Sequence, residues 1–158
     1  YIETSIPSFY HETRTTPAAV ARRDWTREWW SNERQKYELV TSVAVVDELR
    51  ATPKPKREQC LLLVNSIALL PISEEVVEVA EVYISQKVMP NNPTGDALHL
   101  ALASWHKCDY LLTWNCKHIA NANKAGHVKR INSKLDLFIP QLYTPLQLIG
   151  EENNDNDF

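Results

Sequence analysis

The chain has 158 residues, 44% of them hydrophobic and 23% charged, with a net charge of −3. That length is one domain able to bury its own core, and no apolar stretch reaches the roughly 18 residues of a membrane span. No secretory signal pattern opens the sequence, and three cysteines (Cys60, Cys108, Cys116) without Cys-x-x-Cys spacing imply reduced thiols in cytoplasmic surroundings, not disulfides or a zinc site.

YIETSI (1–6) opens as a short β-rich run ahead of Pro7. A helix is signalled at Thr16-Pro17: threonine suits the cap and proline the first helical position, and Ala18, Ala21, Trp25 and Trp29 share one face. Residues 21–30, ARRDWTREWW, mix bases with aromatics as an RNA-stacking surface does, but their spacing favours core or partner packing, with Trp30 as the exposed anchor. YELVT (37–41) reads as a second strand, followed by a helix over 42–50 with Ser42 as its cap. Pro53-Lys54-Pro55 punctuates the chain before a helix over 56–66; IALLPI (67–72) is a strand or a buried connection. Ser73 caps a helix over 73–88, with Glu74 and Glu75 in its first turn.

The loop NNPT (91–94) leads to an apolar helix over 95–106, the strand DYLLT (109–113) and a helix over about 117–126. A proline-punctuated end, FIPQLYTPLQLIG, completes the domain at about residue 150. Helices separating short apolar strands imply βαβ units, hence a central parallel sheet in a three-layer α/β/α arrangement. Residues 151–158 are expected to form a disordered acidic tail carrying Glu151, Glu152, Asp155 and Asp157. Setting those four acids aside moves the net charge from −3 to +1, so any phosphate contact must come from a local patch.

Chemistry in a parallel α/β sheet gathers at the carboxyl ends of strands. Glu3 ends the first strand, Glu48 lies in the helix after the second, Asp96 opens the apolar helix, and Asn115 follows LLTW. A carboxylate in a first helical turn is stabilised by about 0.3–1 kcal/mol without any function, so Asp96 alone decides little. Three carboxylates and an amide oxygen on one edge would repel one another without a cation among them, and hard oxygen ligands suit Mg²⁺ or Mn²⁺.

In these motifs the chain resembles the PIN-domain ribonucleases, in particular the VapC-type toxins of toxin–antitoxin pairs. YIETS matches the family's opening acid, with Glu3 in its place and Thr4-Ser5 after it. TSVAVVDEL supplies Glu48, with Asp47 as a neighbouring acid, GDALHLALA supplies Asp96, LLTWN offers Asn115 after Thr113, and YTPLQL resembles the closing strand. The order holds from position 1 to about 150.

The resemblance implies a PIN-like fold and Mg²⁺- or Mn²⁺-assisted hydrolysis of single-stranded RNA. Glu3, Glu48 and Asp96 would hold the ion, with Asn115 orienting a ligand water or a second ion. Thr4, Ser5 and Thr113 would fix the carboxylates by hydrogen bonds. A small antitoxin blocking the acidic groove and a homodimer are the partners it implies. Glu3 and Asn115 both replace an aspartate of the family pattern. Glu3 adds a methylene and Asn115 removes a charge, which weakens divalent binding and makes a catalytically weak RNA- or protein-binding scaffold the rival reading. A flavodoxin-like phosphate binder fits less well, because no glycine-rich loop follows the first strand.

Lys117 and His118, in the basic stretch 117–130, are the candidates for RNA phosphate contact. His99, three residues after Asp96, could be drawn into a metal or general-base site, but is assigned to packing or hydrogen bonding in the core.

Overall fold

Residues 1–90 and 95–150 are described by the structure, a computed structural model. The loop 91–94 and the acidic tail 151–158 lie outside the described residues.

Among the described residues, four short strands make two parallel pairs. β1 (Val40–Ser42) pairs with β2 (Ala68–Leu70), Thr41 opposite Leu69, and β3 (Tyr110–Leu112) pairs with β4 (Gln141–Tyr143), Leu111 opposite Leu142. The first residues of the chain join the pairs. Ile2 N–H donates to Val40 O at 2.8 Å, Leu112 N–H donates to Tyr1 O at 2.9 Å, and Ile2 bridges Leu112 in parallel sense. Thr41 Oγ1 completes the seam by donating to Ile2 O at 2.8 Å. The N-terminal run therefore lies between the two pairs, in the spatial order β2, β1, the N-terminal run, β3, β4, with parallel pairing in β1–β2, in β3–β4 and at Ile2–Leu112.

Successive residues of these runs face opposite sides. Tyr1 and Leu111 enter a core shared with Val45, Leu49, Val76 and Leu100. Ile2 and Leu112 enter a second core with Ile6, Trp29, Trp30 and Trp114. Helices α3 (Val43–Arg50), α5 (Glu74–Ser85), α6 (Asp96–Trp105) and α7 (Ala122–Lys134) supply the first core; α1 (Ser5–Tyr10) and α2 (Pro17–Asn32) supply the second. α4 (Lys56–Val64) borders both, through Cys60 and Val64 on one side and Leu63 on the other. This is the α/β class with parallel strands that the alternating pattern predicts.

The β-rich run stops at Glu3 and does not continue to Ile6. Pro7 has no N–H for a ladder but fits a helix's first turn, and the Glu3 carboxylate accepts the Ser5 N–H at 3.0 Å, so the chain turns into α1. In α2, Thr16 accepts from Ala19 N–H and Pro17 takes the first position, yet the buried face is Ala19, Thr26, Trp29 and Trp30. Ala18 is exposed, and Trp30, expected as a surface anchor, is 6% exposed because the second core lies on its side of the helix.

Ser42 stands at the start of α3, but its hydroxyl makes no cap; it lies 2.7 Å from the Tyr1 hydroxyl. Ser73 does cap α5 through Val76 N–H. The last helix starts at Ala122, five residues later than expected, and runs on to Lys134. Asn115 explains the delay: its carbonyl accepts N–H from Ile119 and Ala120 and its side chain accepts His118 N–H, closing a turn over 115–120. Asn121 then caps the helix through Asn123 N–H at 3.0 Å.

Candidate metal centre

The carboxyl ends of the strands open onto a cleft of about 390 Å³ lined by Glu3, Glu48, Asp96 and Asn115, with Thr4 and Ser5 among them. Four segments distant in the chain meet here. Glu3 follows the central N-terminal run and is 6% exposed. Its Oε2 accepts from Ser5 N–H, from the Ser5 hydroxyl and from the Thr113 hydroxyl at 2.8 Å. Oε1 receives no hydrogen bond among the described residues. Ser5 and Thr113 thus hold one oxygen of Glu3 and leave the other available for a ligand.

Glu48 reaches the cleft from α3, while its neighbour Asp47 is turned to solvent and paired with Arg50 at 2.9 Å. The Thr4 hydroxyl donates to Glu48 Oε2. On the other oxygen, Oε1, His99 Nε2 donates at 3.0 Å. His99 is buried, as its assignment to the core requires, and its Nδ1 lies 2.7 Å from the Tyr1 hydroxyl, which in turn meets Ser42 Oγ. Burial by itself lowers the imidazole's affinity for a second proton. The Glu48 hydrogen bond and the charges of Glu3, Glu48 and Asp96 outweigh it, so His99 titrates above the usual histidine value. Burial pushes the Tyr1 phenol up as well, keeping it neutral.

Asp96 is the first residue of α6, set there by Gly95 at φ 93°, a left-handed conformation that favours glycine. Asn115 Nδ2–H donates to Asp96 Oδ1 at 2.9 Å, while Asn115 N–H donates to Thr113 Oγ1 at 2.9 Å. Thr113 therefore ties the Glu3 side to the Asp96–Asn115 side. Lys117 is exposed and His118 half-buried on the turn that follows Asn115.

The PIN-domain family profile matches residues 2–123, more than half of the chain and all four cleft residues. The chain belongs to the PIN-domain family. No curated protein and no solved structure matches it significantly.

PIN domains are generally nucleases and usually use divalent metal ions, so the donor set of this one is the test of fit. Possible ligand atoms of Glu3, Glu48 and His99 lie within 4.8 Å of one another, and Asp96 adds a further carboxylate to the same cleft; with His99 Nε2 donating to Glu48, the carboxylates are the ligands on offer. Buried and half-buried carboxylate oxygens suit a hard cation such as Mg²⁺ or Mn²⁺, and the residues present fit one. Two features of this PIN domain moderate the charge: His99 pairs with Glu48, and Asn115 offers Asp96 a neutral donor.

A larger cavity, about 620 Å³, lies at the opposite end of the strands beside Tyr1, Val40 and Tyr110. Its charges, Lys36, Glu38, Lys107 and Asp109, are of both signs, and it gathers no converging acids. The Tyr1–His99–Glu48 chain is barely visible in the sequence. The i, i+3 spacing of Asp96 and His99 was its one signal; Tyr1 gave none, because its partners are distant in sequence.

Proposed function

We propose that this PIN domain is a metal-dependent endoribonuclease that cuts single-stranded RNA by hydrolysis, acting as the toxin of a VapC-type toxin–antitoxin pair. The observation carrying the reading is the convergence of Glu3, Glu48 and Asp96 on one cleft, with Asn115 hydrogen-bonded to Asp96. Glu3, Glu48 and Asp96 would hold Mg²⁺ or Mn²⁺. A bound divalent ion acidifies a coordinated water and offsets the charge that develops on the phosphate.

The chain's own groups do the positioning. Ser5 and Thr113 fix Glu3 by one oxygen, and Thr4 with His99 fixes Glu48 by both. Asn115 holds Asp96 with its amide N–H, while its amide oxygen is occupied by His118 N–H. That leaves Asn115 as an orienting residue for Asp96 more than a ligand for a second ion. Strands with unstacked bases fit a cleft at the carboxyl ends of the strands better than a stiff duplex does. Lys117, exposed on the turn that follows Asn115, and His118 are the candidate phosphate contacts. An antitoxin covering the cleft and a homodimeric toxin extend the reading on the strength of the sequence resemblance alone, and a cytoplasmic location on that of the three cysteines' spacing.

Two observations favour the second reading, a catalytically weak scaffold that binds RNA or a protein partner: an amide stands beside Asp96, and His99 already hydrogen-bonds one oxygen of Glu48. Cleavage of single-stranded RNA in Mn²⁺, with and without chelator, separates the two. The nuclease reading expects wild-type cleavage abolished by EDTA and by Asp96→Asn. Equal RNA breakdown in every tube rules it out.

A further inference from the structure

Beside the carboxylates, the cleft has an aromatic wall made by Phe9 and Trp114. Arg22, reaching over from α2, holds its guanidinium carbon 5.5 Å from the centre of each ring. This placement is built, not incidental. Trp114 Nε1–H donates to Thr26 Oγ1 at 2.7 Å, and Thr26 donates to Arg22 O at 2.6 Å, so the indole fastens the turn of α2 that carries Arg22. Trp25 stacks on Trp114 with ring centres 6.1 Å apart, backing the wall from behind.

Arg14 also lies over Phe9, at 5.8 Å, but its charge is matched by Glu12 at 2.6 Å. Arg22 makes no ion pair among the described residues. A half-buried guanidinium held by two rings keeps its charge while losing little freedom on binding a ligand, since the rings already order it. Its N–H groups form a fork suited to phosphate oxygens. Phe9 is half-buried, so part of its ring remains open on the cleft side.

We propose that Arg22 and Phe9 form a nucleotide subsite at the rim of the carboxylate cleft, resting on the nuclease reading above. Arg22 binds the phosphate next to the one being cut, and Phe9 stacks the base beside it. The ligand class is a single-stranded polynucleotide, because a base paired inside a duplex has no free face to offer. The subsite also meets a physical need: three carboxylates repel an incoming phosphate, and a fixed cation at the rim offsets that repulsion before the strand reaches them.

The test is fluorescence anisotropy of a short labelled single-stranded RNA, with Ca²⁺ replacing Mn²⁺ and the strand checked intact on a gel. Arg22→Gln is expected to weaken binding about tenfold and to reduce the slope of log K against log salt by about 0.7, the value of one phosphate contact on a single strand. Arg22→Lys recovers part of the affinity and the full slope. Phe9→Leu weakens binding several-fold without changing the slope, because it removes stacking and no charge contact. A purely structural clamp would not move the salt slope. Circular dichroism and Mn²⁺ titration accompany each variant, and both are expected to match wild type.

Wild-type RNA affinity in Arg22→Gln overturns the subsite, as does a joint loss of RNA binding, Mn²⁺ binding and the native spectrum. A wild-type protein that never cleaves but shows the Arg22 effect sinks the nuclease reading and leaves the subsite standing.

Discussion

Asn115→Asp exchanges the one amide of the cleft quartet for a fourth carboxylate, and the structure says what that costs. In the wild type, Asn115 Nδ2–H donates to Asp96 Oδ1 at 2.9 Å, a hydrogen bond to a charged group worth about 1.5–3 kcal/mol. The other amide atom, Oδ1, accepts His118 N–H at 3.0 Å, and a carboxylate keeps that bond with one oxygen. Its second oxygen then faces Asp96. Two like charges about 4 Å apart repel by about 4 kcal/mol at an effective dielectric constant near 20. Side-chain rotation and sharing of a proton relieve part of this. A net loss of about 2–4 kcal/mol in EDTA is expected, which for a chain of this size lowers the thermal midpoint by roughly 5–15 °C.

A divalent cation between the two carboxylates turns the repulsion into attraction, so Mn²⁺ should restore the midpoint. At a hundredfold excess over Kd a ligand adds about 2.7 kcal/mol, comparable with the deficit. The assay is thermal denaturation of wild type and variant in EDTA and in Mn²⁺, with calorimetric titration giving Kd. The variant should bind Mn²⁺ about tenfold more tightly, since its extra charge acts only when the ion is present to use it. A variant as stable as wild type in EDTA, or one gaining no more than wild type from Mn²⁺, refutes the placement of residue 115 beside Asp96.

Thr113→Val removes the hydroxyl that donates to Glu3 and accepts from Asn115 N–H; a loss of about ten- to a hundredfold in Mn²⁺ affinity is expected, with Thr113→Ser recovering most of it in the same titration. Gly95→Ala forces a side chain to φ 93° and should lower stability by about 1–2 kcal/mol in urea unfolding, although the added carbon meets nothing closer than 3.5 Å. A midpoint unchanged by that substitution would mean that the backbone there is not left-handed. Glu12 gives the pH prediction. Hydrogen bonds from the Arg14 guanidinium, opposed by burial and assisted by the backbone N–H of Thr13 and Arg14, hold its carboxyl down to about 2 from an ordinary 4.5. A depressed folded-state value stabilises the protein above the unfolded one, so this contribution is full above about pH 4.5 and vanishes as the pH falls towards about 2. Glu12→Gln should therefore be less stable than wild type at pH 6 and lose less as acid is added, read from urea midpoints across the pH range.

Most of the fold was legible because its signals are local. Thr16-Pro17 and Ser73 with Glu74 and Glu75 mark helix starts by cap chemistry, and the structure begins α2 and α5 there. Alternation of helical and apolar runs carried the α/β class. Where the structure departs from the local signals, a contact distant in sequence decides the outcome. The α2 face is rotated from Ala18 to Ala19 and Trp30 because a second core, built with Ile2, Ile6 and Leu112, lies on that side. Asn115 and Asn121 together postpone α7, and two asparagines in a polar stretch do not announce which one caps. At the cleft, the acids were visible as polar residues at strand ends, and Glu48 was separable from Asp47 only by the motif it resembles. The Glu48–His99–Tyr1 chain was not visible, since Tyr1 and His99 reach each other across 98 positions of sequence. Arg22 lies in the 21–30 run whose mixture of bases and aromatics is visible in sequence but whose spacing favours packing, and Phe9 carries no such signal; only the folded chain sets α2 beside α1 and Trp114.

Anomalous diffraction from Mn²⁺-soaked crystals tests the central claim most directly. A single strong peak among the carboxylates of Glu3, Glu48 and Asp96 is the predicted result, with Thr113 still bonded to Glu3. A cleft with no peak at saturating Mn²⁺, or a peak that avoids all three carboxylates, contradicts it.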